Sequence, residues 1–326
     1  MPIYRSDKPV GVVLSTVTDT CLADLVAIAK HAEKCGLESV YINEGRGDAI
    51  AICTVIAQNT TTISLGTNIA NIYFRHPYLA AHSIKTLAET SEDRARIGFG
   101  ISHRGVLETI GIEMGDARTS LKQYILNVKS FLRGQSKNGL LSSDKAKYKT
   151  PIFAAANTVE TAVIAGSVAD GIMPYLTPLS ALPRLLGVAE REAMKTTDVN
   201  RFDCILSIPT FLSNNEREAI SAARYNLAFF AGLPNYRRQW RRAGFSKEMD
   251  LIKARHKQKA NRKDIASLIP LELIDEVCIY GNTKQCHKKI EAFRNQGVTE
   301  PVLAISPVSQ NRHDATISAI KEISRR

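Results

Sequence analysis

The chain has 326 residues, of which 44% are apolar and 23% charged, a composition ordinary for a globular protein with one large core or two ordinary domains. Its 43 lysines and arginines outnumber its 32 acidic residues, and a net charge of +11 raises the question of a nucleic-acid partner. Because no apolar run reaches roughly 18 residues and the N-terminus lacks the pattern of a secretion signal, we expect a cytoplasmic protein without a membrane span.

Short β-like runs alternate with helix-like segments along the chain, which is typical of βα units and a parallel sheet. Predicted strands cover residues 10–15, 38–43, 62–69, 95–101, 151–156, 171–176, 202–212 and 301–307. Predicted helices cover residues 21–36, 49–59, 77–91, 120–134, 158–169, 179–195, 283–297 and 314–326. This count favours an α/β fold of the closed (β/α)8 TIM barrel type over an open sheet.

One stretch, residues 213–270, is too long to be a single barrel helix. We predict a helical insertion there, before the seventh barrel helix, within a single domain spanning residues 1–326. None of the six cysteines lies in a CxxC pair and several stand in apolar runs, so buried free thiols are expected.

Candidate site residues follow the strands, because the active site of an α/β barrel lies at the C-terminal ends of its strands. Ionisable side chains converge there, namely Glu44, Arg46, Arg75, His103 and Arg104. The predicted fifth strand runs through small residues into a helix that begins near Thr158, where backbone N–H groups could bind a phosphate. A plain N-cap role for Thr158 is the alternative.

Several common motifs are absent from the sequence. Gly98-Phe99-Gly100 lacks the full GxGxxG spacing of a dinucleotide-binding turn. The seven histidines show no HExxH-type spacing, so no metal site is expected, and there is no GxSxG nucleophile elbow.

Residues 63–114 closely resemble the luciferase-like oxidoreductases. The resemblance rests on these residues: Leu65-Gly66-Thr67, Asn71, Tyr73, Arg75-His76-Pro77, Thr86-Leu87, Ser91, Arg94, Gly98 and Gly100. It extends outward through residues 25–44, 165–173 and 280–307, whereas the inserted region matches only loosely. The overall pattern is nearest to methylene-tetrahydromethanopterin reductase-type members.

The resemblance implies a (β/α)8 barrel that holds either FMN or the deazaflavin coenzyme F-420. The ring would lie against a bulge at the end of the third strand, with a non-proline cis peptide at Asn68-Ile69. Carried onto this chain, the predicted cofactor-binding residues are Thr67, Asn68, Ile69, Arg75, Ser102, Arg104, Ala155, Asn157, Thr158 and Tyr175. His103 is the first candidate for a proton donor or a hydrogen bond to the ring, and Glu44 is the second.

The chain departs from the family pattern at four places. Asn68 stands where many members have glycine, Ile72 replaces a frequent proline, and the first strand ends in Leu14-Ser15 without the acidic residue of some deazaflavin reductases. His103 replaces an acid found in some of them. These departures leave the position of the ring better supported than the reaction performed on it.

Deazaflavin is the favoured cofactor, and it would support hydride transfer to or from a small organic substrate. The alternative is a two-component FMN-dependent monooxygenase supplied with reduced flavin by a partner reductase. The resemblance also implies a homodimer.

The basic run 237–263 is interpreted as a solvated helical face or a subunit contact, with binding of the acidic deazaflavin tail as the alternative. A nucleic-acid-binding protein is a distant alternative. It would require Tyr236 and Trp240 to stack on bases.

Overall fold

The computed structural model describes residues 6–17, 21–135, 144–196, 202–308 and 311–324. Their strands form one parallel sheet in which eight strands close into a barrel in the order β1-β2-β3-β4-β5-β6-β7-β9, with β9 paired to β1. The predicted (β/α)8 barrel is therefore confirmed. The strands are β1 Gly11–Ser15, β2 Ser39–Asn43, β3 Ser64–Asn71, β4 Ala95–Gly100, β5 Ile152–Ala154, β6 Gly171–Ile172, β7 Asp203–Leu212, β8 Ile279–Gly281 and β9 Glu300–Ile305.

Helices surround the barrel and cover its outer face. They are α1 Leu22–Lys34, α2 Ala49–Gln58, α3 Pro77–Thr90, α4 Arg104–Glu108, α5 Ala117–Leu132, α6 Val159–Val168, α7 Leu182–Thr196, α8 Glu216–Ala231, α9 Pro234–Arg242, α10 Ser246–Lys257, α11 Arg262–Ser267, α12 Leu271–Val277, α13 Thr283–Asn295 and α14 Arg312–Ile323. No helix in the described ranges is long and apolar enough to cross a membrane.

The helix ends follow from local sequence. Asp48 caps α2 by accepting hydrogen bonds from two first-turn amides, and Pro77 occupies the first turn of α3, where no amide is needed. Asn282 and Gln285 form a capping box at α13. These N-terminal residues determine where α2, α3 and α13 begin, and so where the loops that precede them end.

The sequence prediction missed one strand and one helix. The short strand β8 pairs in parallel with only the last three residues of β7, and α4 is a short helix after β4.

Between β7 and β8 lie the helices α8 to α12, which extend to Val277, beyond the predicted end of the insertion. They pack around their own apolar cluster, which includes Trp240, Met249 and Leu273. Assignment of the whole chain to a single domain stays a prediction.

The barrel interior is filled by large apolar side chains contributed by several strands. Its buried members are Tyr41, Phe153, Met173, Ile205 and Val302. Four cysteines, Cys53, Cys204, Cys278 and Cys286, are buried free thiols as expected, whereas Cys21 is exposed and Cys35 half-buried.

A charged network is buried at the N-terminal end of the barrel. Arg96 in β4 forms ion pairs of 3.0 Å with Glu38 and 2.9 Å with Glu300. Ser39 and Tyr41 in β2 also donate hydrogen bonds to Glu300. Burial raises the pKa of Glu300 while the nearby Arg96 guanidinium opposes that rise. Arg96 therefore serves as a counter-charge shared by the two carboxylates.

Candidate active site at the barrel mouth

The strand β3 carries a bulge at the C-terminal end of the barrel. Its pairing with β4 shifts register between Thr67 and Ala70, and the Asn68-Ile69 peptide bond is cis, at the place that the family resemblance implied. Gly100 in β4 accommodates the bulge, because a Cβ there would lie 2.7 Å from the Ile69 side chain. The Gly98-Phe99-Gly100 run thus has a structural role in the barrel.

A buried ion pair supports the bulge from the β2 side. Both carboxylate oxygens of Glu44 accept hydrogen bonds from the Arg75 guanidinium, and the two side chains are only 1% and 6% exposed. Glu44 also accepts from the backbone amides of Asn71, at 2.6 Å, and Ala49, at 3.1 Å. Burial alone would lower the pKa of Arg75, but the hydrogen bond and charge of Glu44 raise it.

Three asparagines surround the same bulge. Asn43 donates to the Asn68 carbonyl oxygen at 3.4 Å. The side-chain amide nitrogens (Nδ2) of Asn68 and Asn71 are buried and have no hydrogen-bond partner among the described residues. Buried donors without acceptors are costly, about 1–3 kcal/mol each. Two such donors beside the predicted ring position fit a planar cofactor whose edge carries acceptor atoms.

His103 follows β4, the strand next to the bulge strand β3, and stands at the N-cap position of α4. The preceding Ser102 adopts a left-handed backbone with φ of 56°. The imidazole Nδ1 lies 3.4 Å from the amide nitrogen of Asn235, and the ring makes an edge contact with Tyr236 at a centroid distance of 5.6 Å. Burial lowers the pKa of His103. Burial therefore favours the neutral form of the ring.

The loops after β5 and β6 are linked by a side chain. Asn157 accepts a hydrogen bond from the Tyr175 amide at 2.8 Å, and the Ala155 amide donates to Phe99 in β4 at 2.8 Å. Thr158 caps α6 through a capping box with Thr161. The N-cap alternative for Thr158 is thus observed, and phosphate binding there stays a prediction.

The remaining predicted residues differ in exposure. The Thr67 side chain is fully buried and its hydroxyl bridges to Gly98 in β4, donating at 2.8 Å and accepting at 3.1 Å. Arg104 is exposed and donates to the Gly115 carbonyl at 3.3 Å. Their roles in cofactor binding stay predictions. Arg75 acts in the structure as the partner of Glu44.

Sequence reasoning missed an aromatic wall contributed by the insertion. Tyr236 in α9 contacts the rings of His103, Tyr175, Phe230 and Trp240. The Trp240 indole donates to the Leu176 carbonyl at 3.1 Å, which ties α9 to the loop after β6. The only tryptophan of the chain, in an otherwise basic segment, was the available signal.

The basic run 237–263 is spread over α9, α10 and α11. Arg241 pairs with Asp250, and Arg262 lies over the Tyr225 ring at 4.1 Å. Trp240 is fully buried and Tyr236 is 5% exposed, so neither is free to stack on nucleic-acid bases. Within the described ranges, no group of three or more histidine, cysteine or acidic residues is arranged to hold a metal.

Comparison with known proteins places this geometry among related folds. A family model described as luciferase-like monooxygenase matches residues 10–300. A 5,10-methylenetetrahydromethanopterin reductase from Methanolobus tindarius is 26% identical over 328 residues, covering 90% of this chain and 94% of that protein.

Solved structures extend the comparison. The coenzyme F-420 dependent tetrahydromethanopterin reductase from Methanopyrus kandleri has a TM-score of 0.79 at 21% identity, with 98% of each chain covered. The oxygenating constituent of 3,6-diketocamphane monooxygenase from Pseudomonas putida, in complex with FMN, has a TM-score of 0.68 at 16% identity, covering 98% of this chain and 97% of that one. Both cofactor types thus occur on this fold.

Proposed function

The chain belongs to the luciferase-like monooxygenase family of flavin- or deazaflavin-dependent oxidoreductases, and on that premise we propose that it binds coenzyme F-420 and transfers a hydride to or from a small organic substrate. The observation that carries this proposal is the pair of buried side-chain amide donors of Asn68 and Asn71 beside the β3 bulge, which have no partner in the part of the chain that the structure describes. The end-to-end similarity to F-420 dependent reductases favours deazaflavin over FMN.

In this proposal the chain's own residues bind and orient the cofactor. Glu44 and Arg75 support the bulge from the β2 side, so both are positioning residues. The side-chain amides of Asn68 and Asn71 face acceptor atoms on the ring edge. His103, which follows the neighbouring strand β4, provides a hydrogen bond or a proton to the bound ring. Once bound, the deazaflavin supplies hydride exchange, while the protein sets its orientation and electrostatic environment.

FMN-dependent oxygenation is the second candidate, because an FMN-bound monooxygenase shares this fold. That function would require reduced flavin from a partner reductase. In either case we infer a cytoplasmic homodimer acting on a small molecule, and the role of the basic run 237–263 stays a prediction.

Cofactor titration of the purified protein tests the choice. We expect coenzyme F-420 to bind with a dissociation constant at least tenfold lower than that of FMN, measured by fluorescence quenching and calorimetry. Tighter binding of FMN would replace the proposal with the monooxygenase. Binding of neither compound would contradict both.

Replacing Asn68 by alanine should weaken F-420 binding by about two- to tenfold, because one net hydrogen bond contributes about 0.5–1.5 kcal/mol. The matched control is Asn59→Ala, at the C-terminal end of α2, which lies at the opposite end of the barrel. Equal dissociation constants for the Asn68→Ala variant and the wild type, by the same titration, would show that this amide does not contact the cofactor.

A further inference from the structure

His103 contacts the inserted helices as well as its own loop. The Asn235 amide nitrogen lies 3.4 Å from His103 Nδ1, and the Tyr236 ring packs edge-on against the imidazole. Both contacts come from α9, whose Gln239 and Trp240 side chains donate to the Leu176 carbonyl oxygen. The orientation of the His103 ring is therefore set by a helix that is itself fixed to the barrel.

The contact with Asn235 favours one tautomer of the His103 ring. An amide NH2 group can only donate, so the contact is a hydrogen bond only when Nδ1 presents its lone pair and the proton of the neutral ring is on Nε2. Burial lowers the pKa of His103, and no charged side chain contributes to that shift. His103 Nε2 has no hydrogen-bond partner among the described residues, which leaves one donor available to a ligand.

We propose that Asn235 is a positioning residue that holds His103 in its Nε2–H tautomer, so that the imidazole offers a hydrogen-bond donor to the polar edge of the bound deazaflavin. The identity of the ligand rests on the proposed function, whereas the tautomer does not. The arrangement makes the insertion part of the active site, because a side chain of α9 sets the chemistry of a side chain of the barrel.

The tautomer can be measured directly by NMR on the full chain with ¹⁵N-labelled histidine, using His103→Gln to assign the signal. We expect His103 Nδ1 to have the chemical shift of an unprotonated nitrogen in the wild type. In Asn235→Asp the carboxylate can only accept a hydrogen bond, so it stabilises a proton on the facing ring nitrogen, and Nδ1 should take the shift of a protonated nitrogen. Glu272→Gln, an exposed change in α12 of the same insertion, should leave both ring signals unchanged.

A protonated Nδ1 in the wild type, or an unchanged spectrum in Asn235→Asp, would overturn the proposal. Titration with F-420, at a pH where the spectra show Nε2 of Asn235→Asp to be unprotonated, then tests the consequence: this variant should bind about two- to tenfold more weakly, because the Nε2–H donor is lost, and Glu272→Gln should bind like the wild type. Absence of F-420 binding in the wild type would contradict the proposed function while the spectra still decide the tautomer.

Discussion

Replacing Glu44 by glutamine is expected to destabilise the protein by about 3–5 kcal/mol and to weaken F-420 binding by more than about tenfold, because it removes the buried counter-charge of Arg75 and leaves only the exposed Asp48 to pair with it. The carboxylate accepts from Arg75 and from the Asn71 and Ala49 amides. The NH2 group of a glutamine side chain cannot accept, so it would face at least one of these donors without forming a hydrogen bond. Urea denaturation and cofactor titration measure the two effects.

The matched control is Asp48→Asn. Asp48 also pairs with Arg75, at 3.2 Å, but it is 54% exposed, and asparagine caps a helix as well as aspartate does. A change below about 1 kcal/mol is expected there. If Glu44 instead moved a proton in the reaction, Glu44→Gln would lose turnover while stability and cofactor affinity stayed at wild-type values. That outcome would restore Glu44 as a catalytic residue.

The second large effect is expected at the other end of the barrel, from Arg96→Met. Removing the guanidinium leaves Glu38 and Glu300, 2% and 0% exposed, without their shared counter-charge. We expect a loss of about 3–5 kcal/mol in the free energy of unfolding at about pH 7. Cofactor affinity should change little in the folded fraction, because the network lies at the end of the barrel opposite the bulge.

The pH dependence of that loss follows from the sign of the pKa shifts. Without Arg96 the folded-state pKa of Glu300 rises further, so the folded state binds more protons than the unfolded state and stability falls as pH rises. The deficit relative to wild type should therefore shrink between about pH 7 and about pH 5. Lys195→Met, which breaks an exposed pair with Glu192, serves as control and should change stability by less than about 1 kcal/mol. A small, pH-independent effect in Arg96→Met would refute this account.

The barrel itself was readable from the sequence because β-like runs alternate with helix-like segments along the chain. The ten residues of β7, Asp203–Leu212, lie wholly within the predicted strand. The strand β8, Ile279–Gly281, was missed because it follows the inserted helices, outside the alternation of strand and helix that marked the equally short β5 and β6. The family resemblance located the cis bond at Asn68-Ile69, which no rule of propensity could have done.

Contacts between distant residues account for the features that the sequence did not reveal. Arg96 and Glu300 are 204 residues apart, and His103 and Asn235 are 132 apart. A charged residue inside the predicted fourth strand was a hint that Arg96 is buried and paired, but it does not identify the partner. Nothing in the local sequence marks Asn235, because its partner is brought near only by the packing of α9 on the barrel.

The short pairing of β8 with the end of β7 also determines where segments of this chain and of its relatives could be joined in a recombinant chimera. Leu273 in α12 and Cys278 pack in the same cluster as Trp240, and Tyr280 of β8 packs against that cluster, so the inserted helices and β8 share one apolar core. A recombinant chimera joined at residue 270 would separate that core from its own final helix and strand. Crossover points at Ser213 and Asn282 would transfer the wall of the active site intact, together with the residue that orients His103.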